Sequence, residues 1–553
     1  MKSKISLLAM TVLSIYITNL NAKPDIEQTH VNIEQAQTNS QEKLSWAQIS
    51  EQSRSAVVQI FSYTKEPHHF VRYKTPEDGG GSGTGFLINQ NGEILTNFHV
   101  VEKAVKIFIQ HPELSKIRFE VEYVGGCPEQ DIALLKLKST DCVKIKKLLE
   151  IDELPYLEIG NSDQLVEAQK IMTLGYPQGK ETVKSSCGGV SGRESTHIGE
   201  CIQTTTPVNP GNSGGPFLNK FGQVIGMCVL KHVGKEIEGI AYLIPINNAK
   251  RLLPQLRKTK IVRRPYWGII FQPINQDLID YLKISEQDGI LITKVYKNSL
   301  CEQAGLKKND ILCAINGENV DRYGYIHNRI SLMDFLNTLE LESSVIFDIL
   351  RDNKHINIEF VIEQGNSFKI KEYCEGYEEL PDYEVIGGLV ITELNLNQIE
   401  IGKEIQANFR SYPSDISNFT KYEKLENRFN SKVIISYIIP GSEIDNSRCI
   451  KEIYPRIGVP ADPIIKKING IKVTNIDDVR DAILQTQDFL TIETDCGGFI
   501  AISLEKLITE DAILSEQEGF ERSKLVEALL EKTIADNQNI DSNALNINGQ
   551  ISA

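Results

Sequence analysis

The run Asn209-Pro-Gly-Asn-Ser-Gly-Gly-Pro216 sets one serine between glycines on both sides. Such a turn holds Ser213 out from the chain beside backbone N–H groups, which is how a nucleophile for acyl transfer is presented. A serine hydroxyl at its ordinary pKa attacks poorly, so the chemistry needs a base and a second group that orients the base. His99, in Glu93-Ile-Leu-Thr-Asn-Phe-His-Val-Val101, offers the imidazole. Asp131, at the head of the apolar Asp131-Ile-Ala-Leu-Leu-Lys-Leu137, offers a carboxylate at the mouth of a buried element. The N–H groups of Gly211 and Ser213 are the candidates for stabilising an oxyanion.

These groups are far apart in the chain, so tertiary elements must bring them together. Asn91-Gly92 reads as a hairpin turn after the strand-like Gly83-Thr-Gly-Phe-Leu-Ile88. Strand-like runs with turn signals recur from Ala56 to about Ile246, and Asn247 to Leu253 reads as a closing helix stopped by Pro254. Residues 150–163 would cross between two halves. The order His, Asp, Ser is that of the chymotrypsin-type double β-barrel, with the nucleophile in the second barrel.

Gly81-Ser-Gly-Thr-Gly-Phe, Thr96-Asn-Phe-His-Val-Val, Asp131-Ile-Ala-Leu-Leu, Gly175-Tyr-Pro and Gly211-Asn-Ser-Gly-Gly-Pro together resemble the HtrA/Deg serine proteases. The resemblance implies a catalytic triad of His99, Asp131 and Ser213, an oxyanion hole of Gly211 and Ser213, and no cofactor. In this fold the residue six before the nucleophile lies at the base of the S1 pocket. Here that is Pro207, followed by Val208, and neither can neutralise an arginine or lysine. Small or medium apolar residues are therefore expected before the scissile bond. Thr205 stands where the resembling family commonly has an aspartate, so how the loops around this site switch between active and inactive arrangements is not implied by the resemblance.

A chain of 553 residues with 41% hydrophobic and 24% charged residues calls for several folded domains. A net charge of −15, without a long basic run, argues against nucleic-acid binding. Lys2 and Lys4 precede an uncharged, mainly apolar run that small Ala22 closes, the pattern of a secretory signal over residues 1–22 rather than of a stable transmembrane anchor. Export to a periplasm or cell envelope would permit disulfides among the ten cysteines. Cys127 with Cys142 and Cys187 with Cys201 are candidate pairs, each closing a loop of about 15 residues worth roughly 3 kcal/mol, with unpaired apolar thiols as the alternative. No Cys-x-x-Cys or His-Glu-x-x-His spacing marks a metal site.

The domain order expected is a polar leader over 23–43, the protease over 44–260, a PDZ domain over 261–365, a degenerate PDZ-like module over 378–510, then a C-terminal helix and disordered tail over 511–553. The first module carries Tyr266-Trp-Gly-Ile269 and later Ala304-Gly-Leu306 and Asn309-Asp-Ile311. In a PDZ domain a glycine-containing loop offers N–H groups to a peptide's C-terminal carboxylate, and the next strand pairs with the peptide. Tyr266, Trp267, Gly268 and Ile269 would form that loop. The later module rests on Gly387-Gly-Leu-Val-Ile391 and on Ala461 to Val473, and a structural or oligomer-contact role is its alternative to peptide capture. His68 to Glu77 and the Gly79-rich stretch read either as activation or subunit-contact loops or as a passive connector. The domain pattern is closest to plant-type Deg proteases and bacterial relatives. The resemblance implies ATP-independent degradation of misfolded exported proteins by trimers or multiples of trimers, stimulated by captured peptide C-termini. The alternatives are a peptide-binding chaperone with little proteolysis and a narrow-specificity regulatory protease.

Overall fold

The computed structural model describes residues 44–114, 116–229, 240–283, 288–327, 330–363, 368–408, 420–447, 452–454, 459–460 and 463–534. The expected signal peptide, the polar leader and the tail beyond residue 534 lie outside the described residues.

Mainly apolar runs form β1 (Val57–Glu66), β3 (Glu93–Thr96), β4 (Ala104–Gln110), β5 (Arg118–Cys127) and β6 (Ile132–Leu137), and a glycine-rich run forms β2 (Glu77–Leu87). They close into a barrel in the order β1-β2-β3-β6-β5-β4, packed around Val58, Ile60, Leu87, Ile94, Ile109 and Leu135. Gly92 turns β2 into β3 with φ +78°, as the Asn-Gly pair predicts. A second barrel follows: β7 (Lys170–Gly175), β8 (Lys184–Thr196), β9 (Gly199–Thr204), β10 (Pro216–Leu218), β11 (Val224–Val229) and β12 (Ala241–Pro245). Its order is β10-β11-β12-β9-β8-β7, around Ile171, Ile202, Phe217, Ile225 and Leu243. The fold is mainly β, with the histidine and aspartate on the first barrel and the serine on the second.

The run Glu93–Val101 is not one strand. β3 stops at Thr96, and His99 lies in the short helix Phe98–Val101. The closing helix runs Ile246–Leu256, through Pro254. Pro254 falls in the final turn, where its ring removes one hydrogen bond, and burial of Leu252, Leu253 and Leu256 carries the helix past it. Gly79, Gly80 and Gly81 extend β2 and pair with Thr64, Tyr63 and Ser62 of β1.

Neither expected disulfide forms, and all nine described cysteines are thiols. In the β5–β6 hairpin Cys127 pairs with Ile132. Cys142 follows the far end of β6 on the helix Ser139–Leu149, so the strand separates them by on the order of 20 Å. Cys201 faces Glu194 across β8–β9, whereas Cys187 faces Met172 on β7. Seven residues of strand separate Cys187 from the position opposite Cys201, again on the order of 20 Å, and a disulfide needs Cα atoms within about 7 Å.

Beyond the barrels, a sheet joins Ile269–Gln272, Ile290–Val295, Ile311–Ile315, Ser344–Arg351 and Lys354–Val361 in that order. The helix Leu332–Thr338 packs against the β8–β9 hairpin: Ser195 Oγ donates to Asp334, and Gln130 Nε2 donates to the Asn337 carbonyl at 3.3 Å. The last module has a three-stranded sheet (Tyr383–Ile386, Leu389–Glu393, Val433–Ile438) and a four-stranded one containing Ile465–Ile468 and Phe489–Thr494. It also carries the helices Ile476–Leu484 and Leu504–Glu518, and residues 524–534 form a helix inside the stretch expected to hold the C-terminal one. His68 to Glu77 is not a bare connector. His69 Nε2 and Glu375 share a buried hydrogen bond, Ser436 Oγ donates to the Phe70 carbonyl at 2.8 Å, and Arg72 reaches the Pro381 carbonyl at 3.2 Å. The last module is thereby fastened to the first barrel.

His111, just past β4, is 1% exposed, and burial pushes its imidazolium down to about 4. The unfolded chain takes up this proton near pH 6.5, while the folded chain resists it until about pH 4. Stability therefore falls as pH drops through that window, by on the order of 3 kcal/mol from this one group. Denaturant midpoints measured from pH 7 to pH 4 should show a loss that shrinks in His111→Gln.

Candidate active site

Asp131 is the residue after a single turn, Pro128–Gln130, and adopts φ +52°, a left-handed conformation that aims its side chain back at the short helix bearing His99. One carboxylate oxygen accepts the His99 backbone N–H at 2.8 Å, and the other accepts from His99 Nδ1 at 2.7 Å. Asn97, fully buried, donates its amide to the Asp131 carbonyl at 3.1 Å. With Asp131 an acceptor, Nδ1 carries the proton and Nε2 is left as the basic nitrogen. Asp131 is 1% exposed and Ser213 is 6% exposed, so the charge and the nucleophile are both shielded from bulk water.

The serine turn is locked onto the first barrel through the backbone. The Thr84 N–H donates to the Ser213 carbonyl at 2.9 Å, and Thr84 Oγ1 donates to the Gly211 carbonyl at 2.7 Å while accepting from the Tyr176 N–H. Gly214 has φ +82°, and a Cβ there would lie 2.2 Å from Thr96 Oγ1 and 2.3 Å from the Thr84 carbonyl. The loop bearing Ser213 thus rests directly on the strand end that leads to His99. The Gln178 N–H donates to the Pro210 carbonyl, fixing the other side of the turn. Among the described residues, the Gly211 and Ser213 N–H groups donate to no protein acceptor, as an oxyanion site requires.

Thr84, Asn97 and Tyr176 escaped the sequence reading as site residues. The signal for Thr84 was present, since it stands inside Gly81-Ser-Gly-Thr-Gly-Phe, but which turn its hydroxyl supports is a tertiary fact. Thr84→Val keeps the shape and deletes one bond to Gly211 and one to Tyr176. It should lower kcat by about 10- to 100-fold with KM nearly unchanged, and Thr84→Ser should restore most of the loss. Steady-state kinetics on a peptide series would decide this.

Pro207 is exposed, and Val208 packs against the core of the second barrel. Thr205 is exposed and its hydroxyl accepts from the Gly189 N–H at 3.1 Å. In the loop before Ile269–Gln272, Trp267 is 2% exposed and stacks on Phe347, so its ring serves the core. Gly268 has φ +66° with Ser299 against its Cα, a position that excludes any side chain. Tyr266 packs on Phe368 and Phe429, and Ile269 is half-buried at the start of the edge strand. In the last module the Gly387 N–H donates to Asp511 Oδ1 at 3.3 Å, and Leu507 and Leu514 from the same helix lie against Gly387 and Gly388. A carboxylate of the chain itself thus sits on this glycine loop.

Two closed antiparallel barrels, one bearing an aspartate–histidine pair and the other a glycine-flanked serine on the facing turn, define a trypsin-like serine peptidase domain. A family model of the trypsin-like peptidase domain matches residues 83–227, and one of the PDZ domain matches residues 373–518. The PDZ match thus falls on the last module, where the sequence predicts only a degenerate copy. A probable periplasmic serine endoprotease, DegP-like, of Chlamydia trachomatis is 34% identical over 304 residues, covering 54% of this chain and 57% of that protein. A probable periplasmic serine protease, do/HhoA-like, of Haemophilus influenzae is 30% identical over 333 residues, covering 58% of this chain and 67% of that protein. The chain belongs to the HtrA/Deg family of serine proteases. It spans somewhat more than half the length of the first curated relatives it matches. Among solved structures, the HtrA-type protease AlgW with decapeptide aligns over 58% of this chain and 99% of its own, at 21% identity and a TM-score of 0.44. No described helix is long and apolar enough to cross a membrane.

Proposed function

We propose that the chain is an ATP-independent serine endopeptidase that degrades misfolded or damaged exported polypeptides. The observation that carries this reading is the 2.7 Å contact between Asp131 and His99 Nδ1, which reserves Nε2 for proton abstraction. His99 Nε2 takes the Ser213 hydroxyl proton as Oγ attacks a peptide carbonyl. The developing oxyanion is held by the Gly211 and Ser213 N–H groups. The His99 imidazolium, stabilised by Asp131, then protonates the leaving amine, and water hydrolyses the acyl-enzyme by the same proton route. Asp131 thus acts through His99, as a positioning and charge-stabilising group.

The periplasmic designation of the relatives supports the same compartment for this chain, and the signal-like residues 1–22 support export. Homotrimers or their multiples are the assembly expected. The module over 261–365 is the site for peptide C-termini, with Tyr266 to Ile269 as its carboxylate loop. Pro207 and Val208 favour small or medium apolar residues before the scissile bond. The test is degradation of an unfolded casein by the mature protein, with Ser213→Ala alongside and a C-terminal peptide added to both. The expected result is cleavage that the variant loses by at least about 1,000-fold, with peptide stimulation of the unaltered protein only. Absence of cleavage by the unaltered protein under both conditions would overturn the reading in favour of a chaperone or a protease of narrow specificity.

A further inference from the structure

Where the first barrel, the β8–β9 hairpin, the chain after Ile261 and the last module meet, they enclose a cavity of about 450 Å³. Its floor includes Gln130, the neighbour of Asp131, and its other walls come from the hairpin tip at 197–199 and from both later modules. The chemistry of its lining is unbalanced. Arg263 is neutralised by Glu129 at 3.4 Å and Glu378 at 2.8 Å, and Lys371 shares Glu378 at 3.0 Å.

Arg264 and Arg428 have no carboxylate at ion-pair distance among the described residues, although Glu129 acts on Arg264, and Glu423 and Glu372 on Arg428, from farther off. Arg264 donates to the carbonyls of Asn337 at 3.0 Å and Leu339 at 3.1 Å, at the end of the helix Leu332–Thr338. Arg428 donates to the carbonyls of Tyr422 and Glu423. Carbonyl dipoles orient a guanidinium without cancelling its charge. The remaining carboxyl on the wall is Glu372, which burial pushes above the usual carboxylate range, so it resists the charge that would compensate an arginine. The apolar part of the wall is supplied by Phe368, whose ring lies 4.9 Å from that of Tyr266.

We propose that this cavity binds a small organic anion, a carboxylate or phosphate monoester carried on a flat apolar body, with Arg264 and Arg428 on the anion and Phe368 and Tyr266 against the body. Two guanidinium groups on one wall without a carboxylate at ion-pair distance among the described residues call for an anion, and the aromatic wall calls for a flat apolar group beside it. The lining includes none of His99, Asp131 and Ser213, so the test does not depend on the proteolytic reading; it shares Tyr266 with the loop proposed for peptide C-termini, and the Arg428 variant separates the two sites.

The full mature chain carrying Ser213→Ala, which prevents self-cleavage, would be titrated calorimetrically with benzoate, with phenyl phosphate and with neutral benzamide. Saturable binding of at least one of the two anions is expected, at a Kd on the order of 1 mM or tighter, with benzamide at least about tenfold weaker. The anion that binds should also raise Tm. Arg428→Met should weaken binding at least about tenfold. Should Arg428→Met fail to fold, Arg264→Met is the second variant, with at least about a tenfold loss expected. No saturable binding of either anion, equal binding of benzamide, or unchanged affinity in the folded methionine variant would each overturn the proposal. The two anions together distinguish a carboxylate ligand from a phosphate one.

Discussion

Asp131→Asn is expected to lower kcat on an unfolded protein substrate by about four orders of magnitude while KM moves only a few-fold. The asparagine carbonyl can still accept the His99 backbone N–H that Asp131 Oδ1 accepts at 2.8 Å, so the short helix should stay in place. Its amide would then face His99 Nδ1, where Oδ2 now accepts at 2.7 Å. Two donors cannot share that contact, so the imidazole must move its proton to Nε2. The base is thereby blocked on the side that faces the nucleophile, and the imidazolium loses its buried counter-charge. Thermal unfolding of the variant should stay close to that of the unaltered protein, which separates a chemical defect from a folding one. A variant within tenfold of normal kcat would show that Asp131 does not set the tautomer.

Gly214→Ala should be strongly disruptive in the catalytic region. The added Cβ would lie 2.2 Å from Thr96 Oγ1, 2.3 Å from the Thr84 carbonyl and 3.0 Å from the Asn97 N–H, on a residue with φ +82°. Two of those three neighbours are backbone and cannot rotate away. The left-handed conformation costs an alanine about 1 kcal/mol and forced packing about 1–3 kcal/mol more, so a Tm drop of several degrees is expected. The kinetic effect should be larger than the thermal one. The strain is relieved by moving the Ser213 turn off Thr84 and away from the strand end leading to His99, and a displacement near 1 Å is worth about 100-fold in rate. Retention of full activity together with full stability would show that the turn is not held where the first barrel presses on it.

The docking of the last module explains why these local effects can be read apart from its own chemistry. It is fastened to the first barrel through His69, Phe70 and Arg72, and its glycine loop already carries the Asp511 carboxylate. Residues 261–363 instead reach the serine protease domain through Ser195 and Gln130, on the hairpin and on the turn before Asp131.

The sequence by itself determined the identities that chemistry demands. A glycine-flanked Ser213, a histidine and an aspartate in one order, and an Asn-Gly hairpin at Gly92 are local facts, because steric limits on backbone angles and the needs of a weak nucleophile act through residue type. It also marked the two later modules, through their glycine loops and strand patterns. What it could not give was anything fixed by distance across the fold. The cysteines near one another in sequence lie strand-lengths apart, since antiparallel register and not sequence spacing sets which residues face each other. The helix Ile246–Leu256 outlasts Pro254 because burial on the barrel outweighs one missing hydrogen bond. Thr84 supports the serine turn, and Arg264 and Arg428 come to one cavity, only after elements more than a hundred residues apart have packed, for hydrogen bonds and charge act over a few ångströms and the chain alone does not say which groups will be within them.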